Sequence, residues 1–140
     1  MTSPMGADHT AGNVLPGRVG YRPETKDGAA FDSDDKKQVQ VSKDIQVMTA
    51  VCDIAGLCFF VGTTVENMET IAKLINARYD VNISVQDLLE IALTTIKTEV
   101  EFNERAGITK AHNRLPEFMQ SEPLKPNGFT FNVPQDEINK

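Results

Sequence analysis

Apolar residues that recur every three or four positions dominate the middle of this chain, and this pattern constrains its fold more than any other feature. Val41, Ile45, Met48 and Val51 follow that spacing, which is the period of one face of an amphipathic α-helix. No stretch of comparable length shows the alternating pattern of a strand. We therefore predict an all-α fold, a small helical bundle formed by a core of residues 37–107.

Two further amphipathic segments complete the predicted bundle. The second ends near Tyr79, and its apolar residues are Met68, Ile71, Ala72, Leu74 and Ile75. The third begins at Ser84, which forms a capping-box pattern with Asp87, and it ends at Ala106 and Gly107. Its predicted buried face comprises Leu88, Leu89, Ile91, Ala92, Ile96 and Val100.

The two ends of the chain differ from this core. Residues 1–36 contain most of the nine glycines and three of the seven prolines, together with an acidic cluster formed by Asp32, Asp34 and Asp35. We predict a loop-rich segment here. A loop of this length indicates either a function, such as facing a cofactor or substrate, or a missing scaffold, and we favour the missing scaffold. The acidic cluster itself is most simply a solvated loop. Residues 108–140 carry four prolines, which predict an extended Pro-rich tail lying across another surface.

Length and charge exclude several classes of function. A chain of 140 residues with 40% hydrophobic positions fits one domain with a modest core. Its net charge of −6 opposes attraction to nucleic acid or to anionic lipid. The sequence contains neither a targeting signal nor a membrane-spanning run. We therefore predict a cytoplasmic protein without nucleic-acid or membrane partners.

The stretch CDIAGLC, residues 52–58, contains both cysteines of the chain. One interpretation is a helix that ends at Gly56, with both cysteines as small buried residues. A redox pair is disfavoured because five residues separate Cys52 from Cys58, whereas the usual dithiol motif has about two intervening residues. A zinc site is also disfavoured, because His9 and His112 lie far apart in the sequence. A [4Fe-4S] cluster needs about four thiolates, so the chain could contribute only part of its ligands.

His9 lies in the stretch GADHTAG, between Gly6 and Gly12. An imidazole has a near-neutral intrinsic pKa and can transfer a proton to a reacting oxygen. The alternative is an exposed loop histidine without a chemical role. The residues alone leave both interpretations open.

Four blocks in this order resemble the C-terminal part of the tungsten-containing aldehyde:ferredoxin oxidoreductase family. They are SPMGADHTAG (3–12), CDIAGLC (52–58), LINARYDVNISVQDLLEIA (74–92) and EFNERAGITKAHNRLPEF (101–118). The resemblance implies a tungsten or molybdenum bis-pterin cofactor beside one [4Fe-4S] cluster. It also implies oxidation of an aldehyde substrate to a carboxylic acid, with ferredoxin as the electron acceptor.

The family pattern Asp-x-x-Gly-Leu-Cys falls on Asp53, Gly56, Leu57 and Cys58. The resemblance implies that the first three of these residues bind a pterin and that Cys58 is one of the four cluster ligands. A carboxylate suits this role because it can accept paired hydrogen bonds from a row of N–H groups. Cys52 matches no ligand position, and we assign it to packing.

The same resemblance makes His9 a candidate for orienting or protonating the substrate oxygen. The family also has a Cys-x-x-Cys-x-x-x-Cys set and an N-terminal pterin-binding domain, and neither occurs in this sequence. We therefore expect a C-terminal piece that needs the upstream part of the enzyme or an oligomer. The cofactor-facing residues Val51, Leu57, Phe59 and Phe60 are expected to form an exposed apolar patch. The alternative is a cofactor-free helical remnant or interaction module without catalysis.

Overall fold

The computed structural model describes residues 3–6, 8, 10–12, 37–126, 128, 130, 131 and 133–139. The long helices in these ranges are α1 (Lys37–Ile54), α2 (Val65–Tyr79) and α3 (Val85–Arg105). Shorter helical elements are the 3-10 turns Phe59–Val61 and Lys110–His112, and the helices α4 (Phe118–Ser121) and α5 (Gln135–Ile138). Within the same ranges there is no strand, only an isolated bridge between Ser3 and Gly6. The predicted all-α small bundle is therefore confirmed.

The core lies where the three long helices meet, with α3 packed against both α1 and α2. All four residues predicted for the buried face of α1 are buried, namely Val41, Ile45, Met48 and Val51. The main cluster contains Met48, Val51, Cys52, Met68, Ile71, Ala72, Leu88 and Ala92. Burial of apolar side chains is the dominant favourable term in folding. No helix in the described part of the chain is long and apolar enough to span a membrane.

Three residues predicted for the buried faces of α2 and α3 are exposed instead. Leu74 is 60% exposed, Ile91 is 47% exposed and Val100 is 39% exposed. Successive residues of an α-helix are about 100° apart, so Ile91 lies about 100° from its neighbour Ala92, which is fully buried. The apolar stripe of α3 is therefore wider than the surface that its partner helices cover. These parts of the prediction are wrong.

The capping box predicted at the start of α3 is confirmed. The Ser84 hydroxyl accepts a hydrogen bond from the Asp87 N–H over 3.1 Å, and the Ser84 N–H donates to the Asp87 carboxylate over 2.7 Å. Hydrogen bonds from the Ser84 side chain, and next from its backbone, hold the pKa of Asp87 below its ordinary value. At the other end of α3, the Gly107 N–H donates to the Glu104 carbonyl over 3.0 Å.

Replacing Ser84 with alanine is expected to lower the free energy of unfolding by roughly 0.5–2 kcal/mol, because the first turn of α3 loses its cap. Urea denaturation followed by circular dichroism measures the change. Ser121→Ala is the matched control, since its hydroxyl donates to a backbone carbonyl within the exposed helix α4. Equal stability of the two variants would show that the capping box does not stabilise the bundle.

The described part of the C-terminal segment is mostly exposed and contains short helical turns, one of which, α4, lies between prolines. Long-range hydrogen bonds join parts of this segment to each other. The Phe131 N–H donates to the Met119 carbonyl over 2.9 Å, and the Gln135 side chain donates to the Asn113 carbonyl over 2.7 Å. That the segment lies across another surface stays a prediction. Most of the predicted loop-rich segment 1–36, including its acidic cluster, lies outside the described residues.

Candidate functional site

The motif at residues 52–58 forms the C-terminal end of α1. Gly56 has a φ of +70°, and its N–H donates to the Asp53 carbonyl over 3.0 Å. The Leu57 N–H donates to the Cys52 carbonyl over 2.8 Å. These two bonds form the Schellman arrangement, which satisfies carbonyls at a helix end and favours glycine at the left-handed position. The predicted helix end is confirmed, and Asp53 remains exposed at it.

The two cysteines of the motif have opposite environments, although both are free thiols. Cys52 is fully buried in the core, whereas Cys58 is exposed. Burial, and after it the negative charges of Asp53 and Cys58, raises the pKa of the Cys52 thiol. Cys52 therefore serves packing, as predicted. The interpretation in which both cysteines are buried is wrong for Cys58, because the chain has already left the helix there.

Iodoacetamide is expected to alkylate Cys58 in the folded protein and to leave Cys52 unmodified. The thiolate is the reactive form, and burial both hides the Cys52 thiol and disfavours its ionisation. Mass spectrometry of peptides after brief labelling distinguishes the two sites, and labelling in denaturant is the control in which both must react. Comparable labelling of both thiols before unfolding would contradict the buried position of Cys52.

A cleft of about 310 Å³ lies between the N-terminal loop, defined here as the described residues 3–6, 8 and 10–12, and the helices α1 and α3. This volume is at the lower end of the range for small-molecule sites. Three carboxylates line the cleft: Asp8 from the loop, Asp53 from α1 and Glu99 from α3. The N-terminal loop and Asp53 therefore meet at one site, although they are distant in sequence.

The cleft lining also contains polar groups with defined hydrogen-bond states. One oxygen of the Asp8 carboxylate accepts from both the N–H and the hydroxyl of Thr10, each over 2.8 Å. Thr49, one turn before Asp53 on α1, is 4% exposed, and its hydroxyl oxygen has no hydrogen-bond partner. A buried polar group without a partner is unfavourable. The cleft thus has carboxylate acceptors on its loop side and on its helix side. It also contains the buried Thr49 hydroxyl, which has no hydrogen-bond partner.

Of the predicted site residues that the structure describes, only Asp53 lines the cleft. Gly56 is exposed, and a Cβ there would have no neighbour within 4 Å. Leu57 packs against the core, while the exposed Cys58 lies outside the cleft lining. His9 lies outside the described residues. Asp53, the first residue of the pattern Asp-x-x-Gly-Leu-Cys, therefore lies at the cleft. The later residues of the pattern, Gly56, Leu57 and Cys58, lie outside the cleft lining.

Sequence reasoning missed three residues of the cleft. Asp8 was within the quoted block 3–12 but was not selected as a site residue. Thr49 carried an indirect signal, because a residue four positions before Asp53 lies on the same helix face. Glu99 carried no signal, since it is one of several acidic residues near the end of α3. Only the packing of α3 against α1 reveals its place.

The predicted exposed patch around the motif is partly wrong. Val51 is 2% exposed and belongs to the core, because it continues the apolar stripe of α1. Phe60 is 88% exposed, as expected. Phe59 is half-buried and packs edge-to-face on Phe60, with ring centroids 5.9 Å apart. Leu57 is also half-buried, which leaves Phe60 as the most exposed member of this group.

The two implied cofactors fit this chain to different degrees. A flat ligand with N–H donors fits the observed chemistry, because the cleft presents the Asp53 carboxylate. An iron–sulfur cluster does not fit this chain alone, since only Cys58 offers an accessible thiol. No group of three or more His, Cys, Asp or Glu side chains in the described ranges is arranged to hold a metal ion.

Comparison with known proteins identifies the family. The family model described as aldehyde ferredoxin oxidoreductase, domains 2 & 3, matches residues 1–139. No curated protein and no solved structure matches the chain. A match over nearly the whole length confirms the resemblance inferred from the four sequence blocks, including their assignment to the C-terminal part of the family. The chain belongs to the aldehyde ferredoxin oxidoreductase family, in the part that comprises domains 2 and 3.

Proposed function

We propose that this chain forms one side of the active site of an oxidoreductase that converts an aldehyde to a carboxylic acid. The reaction adds the oxygen of one water molecule to the aldehyde and releases two protons and two electrons. The electrons pass to ferredoxin. The observation that carries the proposal is that the N-terminal loop and Asp53 line one cleft. Membership of the family supports the reaction class.

Asp53 is the proposed pterin-binding residue. Its carboxylate can accept two parallel hydrogen bonds from adjacent N–H groups, and such charge-assisted bonds are stronger than neutral ones. Gly56 supports this role because the absence of a Cβ lets a flat ring approach the backbone. Leu57 acts through the core, since its packing fixes the helix end that carries Asp53. When bound, the tungsten or molybdenum bis-pterin supplies the two-electron oxidation.

Cys58 is the proposed ligand that this chain contributes to a [4Fe-4S] cluster. Its thiol is exposed and lies five residues after Asp53 in the same short motif. The other three thiolates must come from outside this chain, because Cys52 is buried in the core. The proposal therefore includes the upstream part of the enzyme, or another subunit, as a required partner.

His9 is the proposed proton-transfer residue. In the sequence it follows Asp8, which lines the cleft, and precedes Thr10, which donates to the Asp8 carboxylate. An imidazole in this stretch would orient or protonate the substrate oxygen at neutral pH. We also propose the cytoplasm as the compartment, which agrees with two free thiols.

The second candidate is a cofactor-free helical module of the same family without catalysis. The observation that favours it is the main core, which α1, α2 and α3 build from their own apolar side chains. Such a module would keep the fold and use its exposed surface, including Phe60, for interactions.

The experiment is anaerobic purification of the protein at its full native length. Metal analysis for tungsten, molybdenum and iron is combined with an assay of aldehyde-dependent reduction of a viologen dye. The oxidoreductase proposal predicts a tungsten or molybdenum atom, about four irons per chain, and dye reduction that requires aldehyde. A folded protein without these metals would instead support the cofactor-free module.

Cys58→Ala in the same preparation tests the ligand assignment. Loss of iron and of the visible absorption of the cluster is expected, because one of its thiolates is missing. Cys52→Ala is the control, since it removes a thiol of the same motif that serves packing. An intact cluster in Cys58→Ala would overturn the assignment of this residue.

A further inference from the structure

We infer that Ser42 and Asn103 act together as positioning residues that hold the N-terminal loop over the cleft. The inference rests on the proposed function in one respect, because the loop forms the wall opposite Asp53. Each of the two residues makes a hydrogen bond to a backbone carbonyl near one end of the loop. Neither residue lines the cleft, so their effect on it passes through the loop.

Asn103 holds the first end of the loop. Its side-chain amide donates to the Pro4 carbonyl over 2.6 Å and links residues that are 99 positions apart. The backbone of Asn103 is itself fixed at the end of α3, because its carbonyl accepts from the Ile108 N–H over 2.9 Å. Asn103 therefore holds the loop from a backbone position that is itself hydrogen-bonded at the end of α3.

Ser42 holds the second end of the loop, on a different helix. Its hydroxyl donates to the Gly12 carbonyl over 2.7 Å. Gly12 has a φ of +74°, and a Cβ there would lie 2.7 Å from Gln46 Cγ and 2.8 Å from Ser42 Oγ. Real Cβ atoms do not approach other atoms so closely, so the loop backbone lies directly on α1 at a place that only glycine allows.

Turns between the two anchors give the loop a defined shape. The Gly6 N–H donates to the Ser3 carbonyl over 2.9 Å, and the Thr10 N–H donates to the Asp8 carboxylate over 2.8 Å. A segment with internal hydrogen bonds and two anchors on packed helices has little freedom to rotate. Loss of one anchor would let the loop pivot about the other and would move Asp8 relative to the carboxylate of Asp53.

The variants Ser42→Ala and Asn103→Ala, together with the double variant, test this inference on the chain itself. Amide exchange at Gly6 and Thr10 is expected to become about two- to tenfold faster in each single variant, which is the effect of losing one net hydrogen bond. The double variant should fall short of the product of the single effects, because removal of one anchor already weakens the other. Unchanged exchange, or single effects that simply multiply, would overturn joint positioning.

The two histidines of the chain provide a spectroscopic readout. Removing either anchor should shift the C2–H resonance of His9, which belongs to the loop sequence, and should leave that of His112 unchanged. Ser121→Ala is the matched control, and neither resonance should move. A shift of both resonances would indicate general destabilisation and would contradict a positioning role.

Gly12→Ala tests the same contact from the loop side, because it leaves both anchoring side chains intact. The added methyl group should displace the loop end from α1 and accelerate exchange at Thr10. A normal exchange rate there would overturn the inference even if Ser42→Ala folded poorly.

If the loop responds as expected but the native-length protein holds no pterin, the positioning role stands and the proposed function fails. If pterin content is normal and the loop does not respond, the proposed function stands and the positioning role fails.

Discussion

Asp53→Asn is expected to weaken retention of the pterin cofactor roughly ten- to hundredfold in the native-length protein, with a matching loss of aldehyde oxidation. The change keeps the size of the side chain but removes the charge that strengthens paired hydrogen bonds from N–H donors, a contribution of about 1.5–3 kcal/mol. Pterin content after anaerobic purification and dialysis is the measurement, read from the fluorescence of the oxidised cofactor.

Asp80→Asn is the matched control for Asp53→Asn. Asp80 ends α2 with a φ of 53°, a conformation that asparagine also tolerates, and it lies outside the cleft. Pterin content should therefore stay at the level of the unmodified protein. Equal retention by both variants would remove Asp53 from the binding site.

Met48→Ala is expected to lower the free energy of unfolding by about 2–5 kcal/mol, because a fully buried side chain leaves a cavity in the main core. Urea denaturation measures the loss. Met119→Ala is the control, since Met119 is 42% exposed on α4 and its loss should change stability by less than about 0.5 kcal/mol. Similar effects of the two substitutions would contradict the described position of the core.

The parts of the fold that depend on local sequence were predictable. The capping box of Ser84 and Asp87 involves residues three positions apart, and the helix end at Gly56 requires only glycine at a left-handed position. The buried stripe of α1 was also predictable, because it is narrow and strictly periodic. In each case the physical cause lies within a few residues of the feature.

The extent of the other buried faces was not predictable, because it depends on which helix covers them. Leu74 and Ile91 are apolar and in helical register, yet no partner element shields them in the described structure. The prediction that Val51 faces a cofactor was wrong in the opposite direction, because this residue is buried. Its proximity to the motif suggested a cofactor-facing position, but the rotation of α1 places it in the core.

The candidate site was predictable only where one motif carries it. Asp53 could be selected from the pattern Asp-x-x-Gly-Leu-Cys, whereas Asp8 and Glu99 join it through contacts between distant segments. The long-range hydrogen bonds of Ser42 and Asn103 have no local signature for the same reason. The role of His9 stays a prediction that rests on the resemblance and on its position in the loop sequence.

The most direct measurement is a crystal structure of the native-length protein purified anaerobically, with anomalous diffraction recorded at a tungsten or molybdenum absorption edge. We expect a metal peak beside the cleft and a pterin whose N–H groups donate to the Asp53 carboxylate. A cofactor bound away from Asp53 and the N-terminal loop, or an ordered protein without tungsten or molybdenum, would contradict it.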